Sequence, residues 1–198
     1  MNEYVIRASL RKETISISHS ELSARLTPAV SPESMEAVKA KCEVFDASNP
    51  VYVATRVKIS VSEDGLVHFP TFSVKSSGLS RFLFGCDECY VFVATLGGAV
   101  DRLIMKRKAL SVYSGFITDA VASALIEGVC DAAVREILGR DAKRFSPGYS
   151  DLPLSVQREV FAMLNPERHI GVALLDTLLM SPMKSVSAFL RVERTENT

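Results

Sequence analysis

Between Phe116 and Cys130 the chain carries only two charged side chains, Asp119 and Glu127, among small and apolar residues. Such a segment reads as a helix with very little polar circumference, and a soluble chain buries one only inside a sizeable core. With 198 residues the chain is long enough to build that core. The helix is expected to run from about Tyr113 or Ile117 to Leu138, closed by Gly139. Ala120, Ala122, Ser123, Ala124 and Gly128 keep it slim, so another backbone or a ligand can approach closely. A carboxylate near its centre needs a partner, because a lone buried charge costs about several kcal/mol. Glu127 therefore faces water at the helix edge, sits in an internal salt bridge, or serves a ligand.

Other elements follow from periodicity and breakers. Ile15 to Leu26 reads as a strand end entering a helix, with Ser18 or Ser20 as cap. Ser31-Pro32-Glu33 reads as a helix start, with Met35, Val38 and Cys42 sharing one face up to about Val44. Val51 to Ser60 alternates like a half-buried strand, and Glu63-Asp64-Gly65 turns it back through Val67, Phe69 and Val74. Cys89 to Thr95 is apolar throughout and reads as a strand buried on both faces. Gly97-Gly98 leads into a helix from about Ala99. Val156, Val160, Phe161 and Leu164 mark another helix, ended by Asn165-Pro166. His169 to Leu175 and Ser185 to Val192 read as closing strands, and Glu193 to Thr198 as a polar tail. These elements define an α+β fold: a mainly antiparallel twisted sheet with packed helices, in one domain over residues 1–198.

Charge and composition remove several functions. The chain has 23 basic and 23 acidic residues, so it offers no general field for nucleic acid or anionic lipid. No apolar run reaches the roughly 18 residues that cross a bilayer. Met1-Asn2-Glu3-Tyr4 has no basic segment before an apolar core, which points to a soluble, cytoplasmic protein. Cys86 and Cys89 form a C-x-x-C pair without a second pair, and the pair leads into a strand rather than a helix N-terminus. The expectation is buried thiols at a strand start.

Two further segments carry candidate chemistry. In Arg144-Phe145-Ser146-Pro147-Gly148-Tyr149 the arginine offers a fork for a carboxylate or phosphate. Ser146-Pro147-Gly148 is a stiff turn whose backbone groups suit a heterocycle edge, and Tyr149 adds an aromatic surface with a polar tip. Read alone, the segment is more readily an ordinary turn with a surface arginine. Met180-Ser181-Pro182-Met183-Lys184-Ser185-Val186-Ser187 either lines a pocket with small hydroxyl residues or simply connects strands. The strand, Gly97-Gly98, helix unit could hold an anion at the helix N-terminus, although the common nucleotide-binding glycine patterns are missing.

In this order the segments resemble the activation domain of cobalamin-dependent methionine synthase. That family carries an R-x-x-x-G-Y segment followed about thirty residues later by M-x-P-x-x-S-V-S, matched here by Arg144 to Tyr149 and by Met180 to Ser187. Val93-Ala94-Thr95-Leu96-Gly97-Gly98 and the Tyr113 to Cys130 helix look like their family counterparts, and the resemblance is strongest over residues 85–192. It implies binding of S-adenosylmethionine and reductive methylation of the cobalamin cofactor of a methionine synthase or related corrinoid methyltransferase. In that family a flavodoxin-like reductant supplies the electron, so the resemblance implies such a partner here. Because this chain has no room for homocysteine, folate or cobalamin domains, it would act in trans, as an accessory component of the methyltransferase.

The resemblance also assigns residues. Arg144 would pair with the methionyl carboxylate, the backbones of Ser146 and Gly148 would meet the adenine edge, Tyr149 would wall the pocket, and Glu127 would serve the ligand's polar or cationic groups. Leu138 stands where the family has a second acid, with Asp141 or Glu136 as possible replacements. An N-terminal acidic ligand position and a later tyrosine of the family have no clear match in this sequence. These departures motivate the alternative: a ligand-free interaction module that docks on a corrinoid protein.

Overall fold

The computed structural model describes residues 5–26, 28 and 30–192. In chain order the helices and strands are β1 (Val5–Ser9), α1 (His19–Arg25), α2 (Met35–Ala47), β2 (Val51–Lys58), β3 (Ser60–Val61), β4 (Leu66–His68), β5 (Ser73–Lys75), α3 (Ser77–Phe82) and β6 (Glu88–Thr95). There follow α4 (Gly98–Leu110), α5 (Val112–Leu138), β7 (Arg144–Phe145), α6 (Gln157–Leu164), α7 (Pro166–Ile170), β8 (Ala173–Leu174), β9 (Met180–Ser181) and β10 (Ser185–Arg191). The polar tail expected over Glu193 to Thr198 lies outside the described residues.

The main sheet has the order β1-β2-β6-β10-β7, and every neighbouring pair is antiparallel. The expected α+β class and antiparallel sheet are therefore present. Side chains alternating along β2, β6 and β10 feed two cores. Tyr52, Ala54, Phe92, Ala94, Ala188 and Leu190 face α5 and its neighbours. Val53, Val57, Val91, Val93 and Phe189 face the layer containing α3, α6 and the small β3-β4-β5 sheet.

Register explains the packing against α5. Ala8, Tyr52, Ala94 and Val186 form one cross-strand row, and Ile6, Ala54, Phe92 and Ala188 form the next. Each row mixes large with small side chains, so the helix face of the sheet is corrugated rather than flat. The slim face of α5 fits such a surface. Val51 to Thr55 are consequently buried on both faces, where the alternation had suggested a half-buried strand.

Two other expectations shift. Helix α2 is capped by Ser34 rather than Ser31. Its buried face is Ala37, Ala40 and Val44, while Met35 and Val38 are exposed and Cys42 points outward with them. Small alanines let α2 approach α5, which leaves the larger residues outside. The closing strand expected from His169 to Leu175 is shortened: His169 and Ile170 end a helix, and Gly171 and Val172 are irregular. Pro166 at the first position of α7 starts a new turn after Asn165, and only Ala173–Leu174 is extended.

Gly128 shows what the slim helix is for. A Cβ there would lie 2.1 Å from the backbone oxygen of Ser16. The segment entering α1 thus crosses α5 at a point where only glycine fits, and this crossing brings α1 beside the middle of α5.

Candidate functional site

A cavity of about 760 Å³ lies where α1, α5, the 142–149 segment and the start of β10 meet. Its position follows from the sheet. Strand β7 pairs only with Phe189 and Leu190, so it stops short of Ser185, Val186 and Ser187, which line the cavity. Arg144 sits opposite Leu190, whose side chain belongs to the α5-side core, so Arg144 points to the helix layer. Phe145, one residue later, packs on the other face with Phe82 and Tyr149.

Arg144 and Glu127 are brought together, as the resemblance implied, but as partners of each other. One guanidinium nitrogen of Arg144 donates to Glu127 Oε2 at 2.7 Å and the other to Asp131 Oδ1 at 2.6 Å. Glu127 and Asp131 lie one helical turn apart, so the fork spans both carboxylates. Arg25 approaches Glu127 Oε1 at 3.7 Å and pairs with Glu21 at 2.5 Å. The cavity thus holds three cationic side chains (Arg25, Lys143, Arg144) and three anionic ones (Glu21, Glu127, Asp131). Beneath them Cys130 is fully buried, and desolvation pushes its thiol up to about 12, so it is a core residue rather than a nucleophile.

Ser146, Pro147 and Tyr149 line the cavity, and Tyr149 is 70% exposed. Gly148 lies in the turn but not on the cavity surface. Its φ of +86° and the 3.3 Å approach of Leu154 to its missing Cβ account for glycine there. Its N–H donates to the Leu152 carbonyl, and the Ser146 carbonyl accepts from the Tyr149 N–H. The turn is held from outside by Asp151, which accepts from the Ser76 and Ser77 hydroxyls and from the Ser77 and Gly78 N–H groups. These bonds hold the Asp151 carboxyl well below the ordinary carboxylate range.

Sequence reasoning missed Glu21, Arg25, Asp131 and Gln157. The first two depend on the Gly128 crossing, for which one sequence offers no signal. Asp131 was legible in principle, since it stands four residues after Glu127 on the same helix face. The alternatives considered for the second acid lie elsewhere: Asp141 pairs with Arg135, and Glu136 bonds the Tyr52 hydroxyl. The helix end after Gly97 already carries Asp101, which accepts the Met183 N–H at 2.7 Å. Cys86 and Cys89 are buried, and desolvation raises the Cys89 thiol far above its usual range. Among the described residues no cluster of three or more His, Cys, Asp or Glu could hold a metal, and no helix is long and apolar enough to cross a membrane.

Neither family models nor curated proteins match the sequence. Among solved structures, the crystal structure of the MetH reactivation domain bound to AdoHcy is similar, with a TM-score of 0.66. The match covers 99% of this chain and 80% of that one, at 16% sequence identity. The fold expected from the two motifs is thus the fold this chain shares.

Proposed function

We propose that the protein binds S-adenosylmethionine in this cavity and assists reductive methylation of the cobalamin carried by a partner methyltransferase. The observation that carries the reading is the charge-balanced cluster around Arg144, set in a fold shared with a domain solved with AdoHcy. The cavity volume falls within the range of small-molecule sites. The charge pattern selects for a zwitterion. A simple anion taking Arg144 would leave Glu127 and Asp131 without their partner, whereas a ligand with both signs exchanges each internal pair for a new one.

In this exchange Arg144 turns its fork to the ligand carboxylate, and Glu127 and Asp131 take the cationic groups. Glu21, held by Arg25, adds an acid from the N-terminal helix. Tyr149, an exposed ring on the cavity wall, closes over the nucleoside. The bound ligand supplies an activated methyl group. With one electron from a flavodoxin-like reductant, inactive cob(II)alamin on the partner becomes methylated and S-adenosylhomocysteine is left. The acceptor has to reach the methyl group through the cavity mouth. Met180 lines the cavity, and its sequence neighbours Leu179 and Met183 are 62% and 56% exposed, apolar surface suited to docking in trans.

A second reading is favoured by one observation: Arg144 is already paired with both Glu127 and Asp131, as in a purely structural ion-pair cluster. Under it the chain is a ligand-free module that docks on a corrinoid protein. Calorimetric titration with S-adenosylmethionine and S-adenosylhomocysteine separates the two. Saturable binding of both supports the first reading. No binding at millimolar ligand, with or without a cobalamin-carrying methyltransferase present, overturns it and leaves the docking module.

A further inference from the structure

The carboxamide of Gln157 is a part of the cavity wall that the ion-pair exchange leaves unused. Gln157 opens α6, is only 6% exposed, and lines the same cavity as Arg144, Ser146 and Tyr149. Its Oε1 is buried and accepts no hydrogen bond from any described residue. Val156, Val160 and Leu164 around it are apolar core residues. For packing alone a leucine would serve this position better, since a buried amide oxygen without a donor is destabilising. The neighbouring turn has already spent the Gly148 N–H on Leu152 and uses the Ser146 carbonyl for Tyr149.

We infer that Gln157 reads the base of the bound nucleoside and makes the site specific for a 6-aminopurine. A carboxamide sets an acceptor beside a donor, and the amino edge of adenine presents the complementary donor and ring-nitrogen acceptor. Oε1 accepts from the exocyclic amine, and Nε2 donates to the adjacent ring nitrogen. The terminal torsion of glutamine is broad, so the carboxamide turns to meet the base without moving α6. This inference rests on the proposed binding of an S-adenosyl ligand and adds the residue that selects its base.

The test compares S-adenosylhomocysteine with its analogue carrying an unsubstituted purine, titrated into wild type, Gln157→Leu and Gln157→Asn. Wild type should bind the adenine compound about tenfold more tightly, the effect of one buried hydrogen bond. Gln157→Leu should bind the two within about twofold, a coupling read directly from the four affinities. It should also melt no lower than wild type, because the unsatisfied oxygen is gone. Gln157→Asn, one methylene too short, should lose the preference in the same way, and it serves as the readout if the leucine variant does not fold. A preference that survives both substitutions, or is absent from wild type, overturns the role of Gln157 while leaving ligand binding intact. Failure of wild type to bind S-adenosylhomocysteine overturns the binding reading itself, and this inference with it.

Discussion

The side of the cavity formed by Arg144, Ser146, Pro147, Tyr149 and Ser185 to Ser187 comes from β7 with its following turn and from the start of the neighbouring strand β10. The side formed by Glu21 and Arg25 comes from a short helix more than a hundred residues away, seated by the crossing of Ser16 over Gly128. Both sides bring an arginine to Glu127, at 2.7 Å from Arg144 and 3.7 Å from Arg25. Their surroundings differ. The Arg144 side chain is 17% exposed and bridges two carboxylates, whereas that of Arg25 is 33% exposed and makes its close pair within its own helix. The first arrangement is suited to recognise a ligand group, the second to hold Glu21 in place.

The largest effect expected from that contrast is on ligand affinity at Arg144. Arg144→Ala should weaken S-adenosylmethionine binding by about 2–4 kcal/mol, because a ligand carboxylate loses its charge partner and Glu127 and Asp131 are left facing each other. Titration calorimetry reads this directly, and near-wild-type affinity would remove Arg144 from the site. Arg25→Ala should cost no more than about 1 kcal/mol, as expected for a more solvent-screened pair. If the two losses are equal, the two sides of the cavity are equivalent and the contrast fails.

Next in size is the structural link between the sides. Gly128→Ala adds a methyl group 2.1 Å from a backbone oxygen, and a backbone atom cannot swing aside as a long side chain can. Alanine gains about 1 kcal/mol of helix propensity over glycine. Overpacking of this kind costs about 1–3 kcal/mol or more, so the net effect should be loss of stability. Chemical denaturation measures it. Ligand affinity should fall as well, since Glu21 and Arg25 shift with the entering segment. A variant as stable as wild type would show that α1 is not seated by this crossing.

The same contrast explains what the sequence disclosed. The fold class, α5 with its terminal Gly139, β6 and β10 were legible because each rests on a local pattern: long slim periodicity, a wholly apolar run, a glycine stop. Arg144, Ser146 and Tyr149 were legible as a group because six consecutive residues hold them, and all three line the cavity. Gly148 was legible as part of the turn, but the structure gives it a conformational place rather than a cavity surface. Glu21 and Arg25 could not be found, because Gly128 marks a close approach without saying which segment approaches. The face shared by Met35, Val38 and Cys42 on α2 lies outward for a related reason. In a helix packed on a slim partner, alanine rather than methionine or valine lies inside.

Smaller effects concern the turn alone. Tyr149→Ala should weaken ligand binding by about 1–2 kcal/mol through lost aromatic contact, with little change in stability, because the residue is 70% exposed. A large fall in melting temperature would instead make Tyr149 a packing residue, through its edge contact with Phe145.

The smallest expected effect is the pH dependence of the anchor behind that turn. Asp151 is a carboxylate whose four donors hold its folded-state pKa below the ordinary 3.8. A depressed carboxyl pKa adds stability above the unfolded value, and that stability is lost as the pH falls through the folded value. Asp151→Asn, with one oxygen replaced by a donor, should therefore be less stable than wild type near pH 7. The gap should narrow steadily as the pH falls below about 4. The group is solvent-exposed, so high salt should shrink the gap as well. Melting curves of both proteins across this range supply the check. A gap constant with pH would mean that the bonds to Ser76, Ser77 and Gly78 hold the turn by geometry alone, independent of the charge on Asp151.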